Sequence, residues 1–127
     1  MAPHVIRART PRGPAREPAR LTSPDDVAVY LQDAAHTPGG HTPVVLLPRT
    51  EAEVAAALRG CASVLPVGAQ SSLTGGATPF GEAVLSLARM DEIGPIAHDC
   101  VRAQAGVALV TLEERLAEQR LFYPPSA

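Results

Sequence analysis

The stretch LPVGAQSSLTGGATP, Leu65 to Pro79, carries seven Gly, Ser or Thr residues and no charge. Turning a chain takes about two to five residues, so a segment this long and this poor in side-chain bulk points to backbone that touches something. Where side chains are small, successive N–H groups can turn to one side and form a concave nest for an anion. The residues placed to do so are Gly68, Ala69, Gln70, Ser71, Ser72, Leu73, Thr74, Gly75 and Gly76, with the hydroxyls of Ser71, Ser72 and Thr74 as further donors. No Arg falls between Arg59 and Arg89. Neutralisation would have to come from backbone dipoles and hydroxyls, which suits a diphosphate held permanently better than one released at each turnover. Gly and Ser equally suit a flexible surface loop, and composition leaves the two open.

The common nucleotide loops do not fit. A P-loop needs a Lys near its end to reach the phosphates, and Gly75-Gly76-Ala77-Thr78 has none. A dinucleotide-binding turn needs closely spaced glycines that open a helix, whereas Gly68, Gly75 and Gly76 are too far apart and a strand is expected after Pro79.

The flanking pattern supplies the elements that would position this loop. A helix is expected over TSPDDVAVYLQDAA: Ser23 caps it, Pro24 takes the first position, Asp26 completes a capping-box spacing, and Val27, Tyr30, Leu31 and Ala34 form one face. Val44–Leu47 reads as a strand stopped by Pro48. Thr50 and Glu53 then open a second helix with Val54, Leu58 and Cys61 inward. Ser63–Val67 runs as a strand into the loop, and Ala83–Leu87 leaves it as another. Next, a hairpin is expected to turn at His98 and Asp99, with Val101, Ala103 and Ala105 alternating against Arg102 and Gln104. A third capping box, Thr111 with Glu114, would begin a helix buried along Leu112 and Leu116. Such an order makes an α+β domain, a small mixed sheet with packed helices.

Bulk composition narrows the function classes. The 127 residues suffice for one domain with a modest core, burying roughly two-thirds of the unfolded surface. Two Phe, two Tyr and no Trp leave the core to Ala, Val and Leu and disfavour base-stacking platforms for nucleic acid. All 11 basic residues are Arg. Five of them face one acid, Glu17, in the first twenty residues, which leaves six Arg against twelve acids afterwards. An acidic body of this kind argues against a nucleic-acid surface.

The basic N-terminus is Arg-rich like a transit peptide, but its four prolines break any continuous amphipathic helix, so residues 1–20 are expected to be a disordered tail. No apolar run approaches the ~18 residues of a membrane span and no secretory h-region is visible, making the cytoplasm the expected compartment. Cys61 and Cys100 lack metal-site spacing and read as reduced thiols. His41 and His98 read as exposed turn residues.

Taken in order, the segment from Leu46 to Ile93 resembles the N-terminal half of the FAD-binding domain of FAD-linked oxidases, the PCMH-type or vanillyl-alcohol oxidase-like family that includes D-lactate and glycolate dehydrogenases. The likeness runs on to Pro125. Pro48, Arg49, Thr50 and Val54 match the family's helix opening, and Gly68, Ser71, Ser72, Leu73, Gly75 and Gly76 match its diphosphate loop, Gly-x-Gly-Thr-Gly/Ser-Leu-x-Gly-Gly. By the same resemblance Pro79, Ser86, Leu87 and Met90 follow the loop where the family lines its cofactor, although Leu87 and Met90 equally suit plain core packing. By the same resemblance Gly106 and Val107, at a Gly-Val turn before the last helix, are expected to contact the cofactor.

Two departures qualify the match. Gln70 stands where many members have Gly, which requires an ordinary backbone conformation and an amide free to donate to a phosphate. Ser71 stands where some members carry a His bonded to the flavin, so FAD is expected to be noncovalent. The resemblance implies an FAD-dependent oxidoreductase that dehydrogenates a hydroxylated substrate such as a 2-hydroxy acid. Residues 21–127 would be the truncated N-terminal part of the FAD domain. Its second half and a substrate cap would come from elsewhere, and no residue present is assignable as the catalytic base. The alternative is a non-catalytic nucleotide-binding or partner-dependent module.

Overall fold

A computed structural model describes residues 16–98 and 100–124. Four strands form one sheet: β1 (Ala19–Leu21), β2 (Val45–Leu47), β3 (Val64–Val67) and β4 (Ala83–Ser86), in the order β1-β2-β4-β3. β1 runs antiparallel to β2, while β2, β4 and β3 are mutually parallel. Helices α1 (Pro24–Ala28), α2 (Glu51–Gly60) and α3 (Leu109–Ala117) complete the architecture with a 3₁₀ turn over Leu87–Arg89. This is the small mixed sheet with packed helices expected of the α+β class.

β2 and β4 are the centre because both of their faces are covered. Every residue of each is buried, which is why they read as continuous apolar runs. On one face Val45, Leu47, Val67 and Val84 pack with Val27 of α1 and, at the margin, Tyr30, Leu31 and Ala77. On the other, Leu46, Ala83 and Leu85 pack with Ala57 of α2, flanked by Val54, Val64 and Leu87. The loop of interest joins the C-terminal end of β3 to β4.

Several expectations are corrected at the margins. α1 ends at Ala28, because Tyr30 and Leu31 tighten into i→i+3 bonds to Val27 and Ala28, and the N–H groups of Ala34 and Ala35 donate to Gln70 and Ser72 instead of continuing the helix. Ser23 occupies the N-cap position without a side-chain bond, and Ala34 is exposed. In α2 the Thr50 cap is present, its hydroxyl accepting from Glu53 N at 3.2 Å, but Ala52 and Ala57 are the buried residues while Leu58 is exposed.

α3 starts two residues before the expected Thr111, with Ala108 as an N-cap lacking a side-chain bond, so the Thr111–Glu114 box does not form the cap. The chain turns into the helix directly after the close backbone contact at Gly106. Leu116 is buried and Leu112 half-buried. Between them, the hairpin expected around His98 is a narrow arm joined by the antiparallel bridges Ile93↔Ala103 and Ala97↔Cys100; Asp99 lies outside the described residues. Ala103 and Ala105 are exposed there, since the arm pairs with itself and carries no covering layer. Of the expected N-terminal tail, Ala19 and Arg20 belong to β1, and residues 1–15 lie outside the described residues.

Candidate functional site

β3 delivers the chain to the loop with Val67 buried at 2% exposure, and Thr78 and Pro79 return it through the sheet edge, both buried. His41 N donates to Pro79 O and Gly81 N to His41 O, each at 2.9 Å, so the return is fixed before β4 begins. What lies between divides into two halves with different uses of their donors.

The second half is committed to itself. The Ser72 hydroxyl oxygen accepts from Gly76 N at 3.0 Å and Thr74 N at 3.3 Å, Thr78 N donates to Gly75 O, and Ala77 N reaches an Asp33 carboxylate oxygen. Gly75 adopts φ +79°, and a Cβ on it would stand 2.9 Å from Thr37 Oγ1, so glycine is required there on both counts. Ser72 is therefore a strut of the loop, where sequence alone offered it as a ligand donor.

The first half is open. Among the described residues, the backbone N–H groups of Ala69, Gln70, Ser71, Ser72 and Leu73 find no acceptor. Ser71, Leu73 and Thr74 are exposed, and a Cβ on Gly68 would meet no atom within 4 Å. Gln70 departs from expectation. Its φ is +52°, the left-handed region that favours glycine, and its side-chain amide donates to Gln32 O at 3.1 Å.

Ser86 lies in the sheet beside the start of the loop. Its register partner is Val67, immediately before the loop, and with Val84 it shares the face of β4 turned toward α1. Its hydroxyl is buried and has no hydrogen-bond partner among the described residues. A buried orphan hydroxyl is costly unless something else satisfies it.

The remaining candidates lie elsewhere. Met90 is buried and borders an apolar groove of about 420 Å³ on the α2 face, with Val54, Leu58, Val64 and Leu87. Gly106 N donates to Met90 O at 2.8 Å, and a Cβ on Gly106 would overlap the Leu87 carbonyl oxygen. Glycine serves close backbone packing there. Val107, half-buried, donates its N–H to Gln104 O.

Sequence reasoning missed Asp33, which is 3% exposed and sits at the foot of the loop. One carboxylate oxygen accepts from Ala35 N at 3.1 Å, the other from Ala77 N at 3.4 Å, and Asp33 N donates to Thr78 Oγ1. Burial pushes its carboxyl up, but the hydrogen bonds from Ala77 N–H and Ala35 N–H, with the polar side chains of Ser72 and Thr78 close by, hold it below the ordinary value.

Open consecutive donors and empty space over Gly68 fit one anionic group lying across the first half of the loop. The family described as FAD binding domain matches residues 42–127, which include the whole loop and both strands that bear it. The chain belongs to the FAD-linked oxidase family. It is similar to the mitochondrial D-2-hydroxyglutarate dehydrogenase of Bos taurus, 34% identical over 112 residues, covering 82% of this chain and 20% of that protein. A D-lactate dehydrogenase of Anaerostipes hadrus is 35% identical over 111 residues, covering 80% and 21% respectively. The mitochondrial D-2-hydroxyglutarate dehydrogenase of Rattus norvegicus is 31% identical over 112 residues. The chain thus spans about a fifth of the length of these curated relatives. Among the described residues, no helix is long and apolar enough to cross a membrane, and no cluster of His, Cys, Asp or Glu could hold a metal ion.

Proposed function

We propose that this chain provides the diphosphate-binding part of an FAD-dependent oxidoreductase that dehydrogenates a hydroxylated substrate such as a 2-hydroxy acid. The observation that carries the reading is the run of uncommitted N–H groups from Ala69 to Leu73, within the span that matches the FAD binding domain. When bound, FAD supplies the acceptor for the hydride that leaves the substrate carbon. The protein's own part is to bind and orient. Ala69–Leu73 would donate backbone N–H groups to the diphosphate, and Ser71 and Thr74 would add exposed hydroxyls. Ser71 has no nucleophilic nitrogen, so the flavin would be held noncovalently at that position. The relatives' printed activities, on D-2-hydroxyglutarate and D-lactate, support a 2-hydroxy acid as the substrate class. A cytoplasmic compartment belongs to the same proposal, beside the mitochondrial description of two of the relatives.

The base and the substrate cap would come from polypeptide beyond these residues, supported by the fifth of each relative's length that the chain spans. One observation also favours a partner-dependent module: the α2-face groove is lined by apolar side chains, Leu58 among them at 57% exposure. The test is gel filtration of the purified chain with FAD. Yellow protein whose flavin is released by denaturation is the expected result. Folded, colourless protein would overturn FAD binding by this chain.

A further inference from the structure

We infer that Asp33 is the positioning residue that sets the anion-ready shape of the loop from Gly68 to Thr78. The inference rests on the loop being the diphosphate site, and it concerns a residue that touches the loop and not the ligand.

The segment that follows α1 laces the loop at both ends. Gln70 O accepts from Ala34 N at 3.0 Å and Ser72 O accepts from Ala35 N at 3.1 Å, while Gln70 Nε2 donates back to Gln32 O. These bonds turn the carbonyls of Gln70 and Ser72 toward the protein, leaving the neighbouring N–H groups facing the other way. Asp33 holds the same segment to the loop's far end through Ala77 and Thr78. It also joins the two sides, because its two oxygens are divided between Ala35 and Ala77.

A carboxylate is suited to this place because it accepts at both oxygens and donates at neither. An amide of the same size accepts at only one and presents N–H to the other backbone N–H. Both Asp33 oxygens are committed and the side chain is buried, so it is not available as a proton-abstracting base for substrate.

Asp33→Asn in the 127-residue chain tests this, read by amide hydrogen exchange without ligand and by FAD affinity. The expected result is exchange about tenfold faster or more at Ala35, Gly76 and Ala77, with Leu46, Val84 and Leu85 unchanged, and FAD binding about tenfold weaker or more. Ala57→Gly, in the core cluster on the α2 face, is the control for general destabilisation; it should speed exchange at the core strands at least as much as at the loop and leave FAD affinity of the folded fraction unchanged. Unchanged loop exchange in Asp33→Asn, or acceleration in parallel with the core strands, would overturn the inference. So would equal FAD affinity in the two forms. If the unsubstituted chain takes up no FAD while loop exchange still depends on Asp33, the diphosphate reading fails and the positioning role stands. Should Asp33→Asn not fold, Thr78→Val removes the acceptor of Asp33 N–H with the carboxylate intact. It should loosen the same amides to a smaller degree, and no loosening would count against the role.

Discussion

Two glycine-bearing turns, at Gly68–Gly76 and at Gly106–Val107, read alike as cofactor contacts in the sequence, and the structure uses them in opposite ways. Beyond Gly68 there is room, with no atom within 4 Å of the missing Cβ and donors left over on the residues that follow. At Gly106 there is none: the backbone is pressed against the Leu87 and Met90 carbonyls, and its own N–H is already bonded to Met90. A glycine can make space for a ligand or for another piece of chain. Which of these holds is decided by the donors around it and not by the residue itself.

Substitutions at the two turns should therefore fail in different ways. Gly75→Asp combines a strained φ, contact with Thr37 and a negative charge beside the proposed diphosphate; FAD binding should weaken about 100-fold or more by equilibrium titration. A variant that still co-elutes with flavin would break the contrast. Gly106→Ala should lower unfolding free energy by about 1–3 kcal/mol in denaturant titration, by overpacking, and leave FAD affinity of the folded fraction unchanged. Loss of FAD affinity without loss of stability would make this turn a ligand contact after all.

Smaller effects sharpen the division. Ser86→Ala removes a buried hydroxyl that has no intramolecular partner, so the ligand-free chain should be no less stable, and FAD binding should change by about twofold or less because protein atoms cover that hydroxyl. Gln70→Gly relieves the positive φ but forfeits the bond to Gln32. The two nearly cancel, and a stability change within about 1 kcal/mol is expected by thermal unfolding.

What was legible in the sequence was what local chemistry controls. The parallel strands appear as short apolar runs, the Thr50 cap of α2 forms as its spacing requires, and the loop announces itself by an uncharged run of small residues. Contacts between distant segments were not legible. Asp33 lies 44 and 45 residues from its partners Ala77 and Thr78, and nothing near it in the chain marks it as more than a helix residue. Other long-range bonds, from Ala34 and Ala35 to the loop, keep α1 from continuing, whereas Ser72 becomes a strut through local bonds from Thr74 and Gly76 that depend on how the loop turns. Gln70 stands where many family members have Gly, which is a sign of left-handed backbone, but the bonds that hold it there, with Gln32 and Ala34 across the loop, were not legible.

The most direct measurement is an amide chemical-shift titration of the chain with ADP, which carries the diphosphate without the flavin, using adenosine as the comparison. The account predicts shifts concentrated at Ala69–Leu73 and Gly75 with ADP and absent with adenosine, and Gly106 unmoved by either. Shifts gathered instead around Leu58, Leu87 and Met90, or equal responses to the two ligands, would contradict it.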